Sequence, residues 1–314
     1  MSTNESTPLL EVKNLSHRYE TQYALKNVSF SLENRGEIIG LLGSNGAGKS
    51  TMMNIICGAL TQTEGIVKID GHDNLKDRIE AKSVIGFLPQ KPPLHTDLTV
   101  SEYLRYSAAL RRIPRNEVKD SIARVLKRCE ITHFKDRLIK NLSGGYQQRV
   151  GIAQSIIHNP RFIVLDEPTN GLDPNQILEI RELIKDIAKE RLVMLSTHIL
   201  QEVQAMCHQI LMIEGGEFVF KGTMDEFNNT VVSNKLILTT QKPLILDEIK
   251  SIPHIIDVIV LEDNKIECIV DTDDVDLQSH IIKTSVEKDW QLLEIYKEKS
   301  NPDEIFKYLS KGIH

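Results

Sequence analysis

Short runs of consecutive apolar residues punctuate the chain: Ile38-Ile-Gly-Leu-Leu42, Val84 to Leu88, Phe162-Ile-Val-Leu165 and Leu192-Val-Met-Leu195. They lack the alternation of a half-exposed strand and are short for buried helices, so they predict strands covered on both faces, as in a parallel sheet. Between the second and third runs the period changes. From Thr99-Val-Ser-Glu102, a helix-start sequence, apolar residues recur at helical spacing through Leu104, Ala108, Val118, Ile122, Val125 and Leu126. A further helix is predicted over Val150 to His158, closed by Asn159-Pro160.

Beyond Thr230 the elements shorten. Lys235 to Thr240 reads as a strand, Leu244 to Ile252 as a short helix, and Ile256 to Leu261 with Lys265 to Val270 as a hairpin around Glu262-Asp-Asn264. A helix from Val275 to about Val286, a strand from Trp290 to Ile295 and a last helix from Pro302 to Leu309, capped by Asn301, complete the pattern. The order β-α-β-β-α-β predicts a ferredoxin-like domain, a four-stranded sheet with helices on one face. Its run from Asp271 to Asp276 lacks the glycine and terminal glutamate of a calcium loop and reads as a solvated turn.

Charge marks the same division. Residues 1–224 hold 26 acidic and 28 basic side chains, residues 225–314 hold 18 and 10, and arginine is absent after Arg191. The boundary falls between Gly222 and Thr230, giving domains over 9–227 and 231–314, and the acidic second domain disfavours a nucleic-acid partner. With 314 residues, 40% hydrophobic and 26% charged, the chain can bury a full core. No window has the roughly 18 to 20 apolar residues of a membrane span, and Met1 to Thr7 has no signal-peptide features, so the expected location is cytosolic. Cys57, Cys129, Cys207 and Cys268 stand singly, which predicts reduced buried thiols rather than disulfides or a metal site.

Three segments carry chemistry. Gly43-Ser-Asn-Gly-Ala-Gly-Lys-Ser50 follows a predicted strand and precedes a helix through Thr51, the order of a phosphate-binding loop. Gly43, Gly46 and Gly48 let the backbone N–H groups of the loop, with Ser44, Asn45 and Ala47, turn inward around a phosphate. Lys49 adds a point charge, and Ser50 is placed to ligate Mg²⁺ at a helix N-terminus. In Asp166-Glu167, at the end of the third apolar run, Asp166 is suited to Mg²⁺ and Glu167 to general-base work on the attacking water. Alone, the pair would read as a strand end with an acidic turn. Ser143-Gly144-Gly145 stands before the predicted Val150 helix, so Ser143 is placed as an N-cap and the glycines leave amides bare, a second anion site without a lysine.

The string Leu142-Ser-Gly-Gly-Tyr-Gln-Gln-Arg149, lying between the glycine loop and Asp166-Glu167, resembles the signature motif of ATP-binding cassette (ABC) ATPases. The resemblance covers residues 9–223 and implies a P-loop NTPase cassette, α/β with a mixed sheet, whose helical subdomain spans about 91–160. It implies that Tyr19 stacks on adenine, that Gln90 contacts Mg²⁺ and water and reports nucleotide state, that Asp173 touches an opposite subunit, and that His198 bonds the γ-phosphate. Ser44 stands where close relatives often have proline and is expected to face outward. Leu42 to Thr51, Ser196-Thr-His-Ile-Leu and Pro302-Asp-Glu-Ile-Phe look similar to cassettes of bacterial export systems of drug, polysaccharide and gliding-motility types.

No motif is degenerate, which favours a homodimer with each ATP held by the loop of one copy and the signature of the other. The function so implied is an ATP-hydrolysing subunit, with ATP and Mg²⁺ as cofactors, that drives a separate membrane-spanning permease from the inner face of the membrane. Arg105, Arg111, Arg112, Arg115 and Arg124 form either a solvated helix face or the surface that meets the permease. Two other classes compete. A soluble ABC ATPase acting on ribosomes or DNA would carry two cassettes or a coiled-coil insertion, which this chain lacks. A regulatory, non-hydrolysing cassette is disfavoured by Glu167 and His198. The second domain, with no catalytic constellation, is read as dimer support or regulation.

Overall fold

Three of the apolar runs form inner strands of a six-stranded sheet and the run ending at Leu88 forms its edge, each flanked by a helix that covers it. In the computed structural model the described residues are 8–33, 35–230, 235–242, 246–262, 264–271, 275–298 and 302–311, with the side chains of 275, 276, 302–304, 308 and 311 excepted. The N-terminal segment Met1 to Thr7, the Asn301 cap and residues 272–274 of the aspartate run lie outside the described residues. The described chain divides into two units, Met1–Met224 and Asp225–Lys311.

The first unit opens with β1 (Leu10–Tyr19) and β2 (Gln22–Leu32), then the wholly buried β3 (Ile38–Leu42) and helix α1 (Lys49–Ile56). Next come β4 (Glu64–Ile69), the short β5 (His72–Asp73), α2 (Arg78–Val84) and β6 (Ile85–Leu88). Three helices follow, α3 (Val100–Leu110), α4 (Val118–Arg128) and α5 (Gly144–Ile156). The unit closes with β7 (Phe162–Asp166), α6 (Pro174–Ala188), β8 (Leu192–Thr197), α7 (Leu200–Met206), β9 (Gln209–Glu214) and β10 (Glu217–Thr223). Among the described residues no helix is long and apolar enough to cross a membrane.

The main sheet runs β10-β9-β3-β8-β7-β6, parallel throughout except for β10. A second, antiparallel sheet runs β2-β1-β4-β5. Met52, Met53, Ile55 and Ile56 of α1 share one buried core with Leu10, Val12 and Val67 of the second sheet and with Ile39, Val164 and Leu211 of the first. Each such side chain taken from water stabilises by roughly 1.5 to 3 kcal/mol before entropy is counted. This anchors α1, and so fixes the glycine loop at its N-terminus.

The helical block differs from expectation at one end. Helix α3 starts as predicted, with a capping box in which Glu102 N donates to Thr99 Oγ1 at 3.2 Å and Thr99 N donates to Glu102 Oε2 at 2.8 Å. The helix expected from Val150 begins instead at Gly144 and ends at Ile156, because Asn159 takes a left-handed φ of 58°. Glycine is tolerated in a first turn whose N–H groups have no intrahelical partners.

Helix α8 (Met224–Asn228) spans the division between units. The second unit contains β11 (Lys235–Thr240), α9 (Leu246–Lys250), β12 (Ile255–Glu262), β13 (Lys265–Val270), α10 (Val275–Glu287), β14 (Leu292–Lys297) and α11 (Pro302–Lys311). Its sheet is antiparallel in the order β12-β13-β11-β14, which is the ferredoxin-like arrangement. Leu238, Ile249, Cys268, Ile281 and Trp290 lie in one core. All four cysteines of the chain are free and buried.

Candidate active site

In an open parallel sheet ligands gather at the C-terminal ends of the strands. Here β3, β8 and β7 lie side by side, with Leu42 opposite Thr197 and Ser196 opposite Asp166. Each strand therefore delivers its following loop to one place. The loop after β3 is the glycine loop. Gly48, at the N-cap of α1, has φ 112°, and a Cβ there would lie 2.5 Å from Ala24 O, so only glycine fits. Lys49 is 6% exposed, and its Nζ donates to Gly43 O at 2.8 Å and Ser44 O at 2.9 Å. Burial pulls its pKa down, opposed by the carboxylates of Glu167, Asp166 and Glu214. Two of the three ammonium donors thus hold the loop's own carbonyls in a curled state.

Ser44 turns its hydroxyl to Glu214 Oε1 at the end of β9, 2.6 Å away. Ser50 Oγ donates to Asp166 Oδ1 at 3.4 Å, and Ser196 Oγ donates to the same oxygen at 2.5 Å. Asp166 is 4% exposed. Serine hydroxyl and carboxylate are hard oxygen donors converging on one point, a set that suits Mg²⁺. When bound beside Ser50 and Asp166, Mg²⁺ would neutralise charge building on phosphoryl oxygens.

Glu167 comes next, in the left-handed region at φ 47°, a conformation that costs a non-glycine residue on the order of 1 kcal/mol. Its N–H donates to Ser196 Oγ at 3.0 Å, which holds the strained turn in place. The turn throws the carboxylate away from Asp166. Gln90 Nε2 donates to Oε2 at 2.7 Å, Asn170 Nδ2 donates to Oε2 at 3.0 Å, and His198 Nδ1 donates to Oε1 at 3.1 Å. Three segments, after β6, β7 and β8, meet on one carboxylate.

Tyr19, Asn45, Gly46, Gly48, Lys49, Ser50, Thr51, Gln90 and Glu167 line one cleft of about 380 Å³. Tyr19, 53% exposed at its rim, approaches Thr51 Oγ1 at 3.5 Å and packs edge-on against His17. Neither Ser143, Gly144, Gly145 nor Asp173 lines this cleft. Ser143 occupies the N-cap position of α5, but its hydroxyl makes no capping bond, contrary to the cap expected from sequence. Ser143 and Gly144 are exposed. Asp173 caps α6, accepting from Gln176 N at 3.0 Å, with Pro174 in the first turn.

Motif reading missed Ser196, Asn170, Glu214 and Glu202. Ser196 could have been found by its position, the last-but-one residue of a buried strand beside Asp166, while the others are visible only once the loops are folded. Arg149, at the end of the signature string, is 5% exposed and donates to Cys129 O at 2.9 Å, to Glu130 and to Glu179, fastening α5 to its neighbours.

A glycine loop and an acid pair at the strand ends, with a helix-borne serine-glycine motif facing solvent apart from them, define a P-loop nucleoside triphosphatase. The ABC transporter family pattern matches residues 25–170. The chain is 36% identical over 215 residues to the ABC transporter ATP-binding protein NatA of Bacillus subtilis, covering 68% of this chain and 87% of that one. It is similar to cbiO1 of Clostridium perfringens, described as part of the ABC transporter complex cbiONQ, with TM-score 0.63, 29% identity, and coverage of 71% and 94%. It is also similar to a dimeric ATP-binding cassette in a post-hydrolysis state with ADP and Pi, with TM-score 0.61, 30% identity, and coverage of 68% and 98%. The chain belongs to the ATP-binding subunits of ABC transporters and is an ATPase.

Proposed function

We propose that two copies of this chain close head to tail on two ATP molecules, and that Glu167 is the general base of hydrolysis. The carrying observation is the division of the phosphate-reading groups within one chain: the glycine loop, Asp166 and Glu167 gather at the strand ends, while the signature residues do not line the cleft there. A second copy can supply Ser143, Gly144 and Gly145, whose N-terminal amides and uncommitted serine hydroxyl suit a γ-phosphate. The dimeric relative with ADP and Pi supports this reading.

In the assembled site Lys49 and the loop amides hold the β- and γ-phosphates, Tyr19 stacks on adenine, and Ser50, Asp166 and Gln90 hold Mg²⁺. Glu167 orients and deprotonates the water, and His198 bonds the γ-phosphate. Asp173 meets the opposite copy. Gln90, Asn170 and His198 take three of the roughly four acceptor sites of the Glu167 carboxylate, which leaves one for the water.

The work is delivered to a separate membrane permease at the inner face of the membrane, in the direction of export. A groove of about 610 Å³ between the main sheet and the helical block offers the contact, with Ile79 at 58% and Leu110 at 65% exposure beside Arg78, Lys82 and Arg111. Steady-state ATP hydrolysis against protein concentration, with Glu167→Gln mixed in, tests the dimer. The rate should rise faster than linearly, and the mutant should poison wild type beyond dilution. A mixture whose rate merely averages the two would sink the composite site.

A further inference from the structure

We infer that Glu202 is a positioning residue that sets the spacing between Glu167 and His198, an inference that rests on the general-base reading of Glu167. Glu202, in the first turn of α7, is 1% exposed and does not line the nucleotide cleft. Thr169 Oγ1 donates to its Oε1, and Thr197 Oγ1 donates to its Oε2 at 2.8 Å. Thr169 lies two residues past Glu167, and Thr197 immediately precedes His198. One buried carboxylate therefore ties the loop that carries the base to the strand end that carries the histidine.

A carboxylate satisfies both hydroxyls at once. Both hydroxyls donate, so both oxygens must accept, and Thr197 Oγ1 is itself committed as the acceptor for Ile199 N at 3.0 Å. Glutamine would present one acceptor and one NH₂ group, so one hydroxyl would have to turn over to accept and its own hydrogen would lose the carboxylate partner it has here. Arg181 Nη2 of α6, 3.9 Å from Oε1, offsets the buried charge. Because α6 starts just after its cap Asp173, the same carboxylate also steadies the segment between the base and the partner-facing aspartate. Ser196 braces the backbone of Glu167; Glu202 braces the loop beyond it.

The consequence is a separation of binding from chemistry. The bonds of Glu202 run to Thr169, Thr197 and Arg181 rather than to the glycine loop, so nucleotide affinity should survive its loss while the 3.1 Å contact between His198 and Glu167 does not. The test uses the full chain with ATP and a fluorescent ATP analogue. Glu202→Ala should lower kcat about ten- to a hundredfold, the scale of misplaced catalytic groups, with KM and analogue Kd within about twofold of wild type. Glu202→Gln should fall between. Thr169→Val and Thr197→Val should each lower kcat, and adding either to Glu202→Ala should cost little more, since the bond is already gone. A folded Glu202→Ala enzyme with wild-type kcat, or one losing kcat and nucleotide affinity in equal measure, would overturn the assignment. If Glu202→Ala does not fold, Thr197→Val decides: full kcat there overturns it equally. Glu167→Gln run alongside keeps the premise separate, since turnover by that variant removes the base reading whatever the Glu202 variants do.

Discussion

Acidification from pH 8 to pH 5 should loosen the junction between α5 and β6 through His158. This residue lies just past α5, and its Nε2 donates to Ile85 O at 3.0 Å, while its Nδ1 is buried without a partner. Burial first, then the charge of Arg111 and more weakly Arg191 and Arg124, hold its pKa down to about 4 from 6.5, against the Ile85 bond that raises it. The ring is therefore neutral in the fold and titrates at its ordinary value in the unfolded chain. The unfolded state binds the extra proton between these values, so stability is complete above pH 6.5 and is lost as pH falls toward 4. The full effect is about 3 kcal/mol, of which about 2 kcal/mol is gone at pH 5. His158→Gln keeps a donor for Ile85 and removes the titration. Urea titrations at both pH values should show wild type losing about 2 kcal/mol more than the variant. Far-ultraviolet circular dichroism is the appropriate signal, because Trp290, the one tryptophan, belongs to the second unit. Parallel losses in the two proteins would refute the assignment to His158.

Packing leads to two further outcomes. Gly86→Ala would place a Cβ 2.2 Å from Ser155 O and 2.9 Å from Pro160 Cγ, backbone and ring that cannot swing aside, and should destabilise by more than about 2 kcal/mol in the same urea assay. Arg149→Ala removes the donor to Cys129 O, but Glu130 and Glu179 remain solvated at 74% and 58% exposure. The loss should therefore be about 1 to 3 kcal/mol, below that of a pair buried on both sides, and a larger loss would mean that the two carboxylates are costly when abandoned.

The centre of the main sheet was legible because its strands are covered on both faces: Ile38–Leu42, Phe162–Asp166 and Leu192–Thr197 are buried along their whole length, and continuous apolar runs record that. The antiparallel sheet was not. In β1 the alternation of Leu10 and Val12 breaks where Asn14 takes φ 49° and the register shifts before Leu15, so period two survives for only a few residues. In the site, the glycine loop and the acid pair are local in sequence and announce themselves. The bonds that aim them are not local: Ser196 reaches Asp166 across 30 positions and Glu202 reaches Thr169 across 33. No spacing rule encodes such a distance. The early start of α5 was missed for a different reason, since glycine is read as a helix breaker and only the bare amides of a first turn make it acceptable at 144 and 145.

Burial raises the pKa of all four thiols, Cys129 and Cys268 to about 12. At neutral pH a thiol of that kind is ionised in only about one molecule in 10⁵, and the thiolate is the reactive form. A maleimide or a thiol-directed spin label should therefore react slowly with the folded wild-type chain. A single cysteine placed on its surface beside the signature becomes an address for a reporter without any native residue being replaced first.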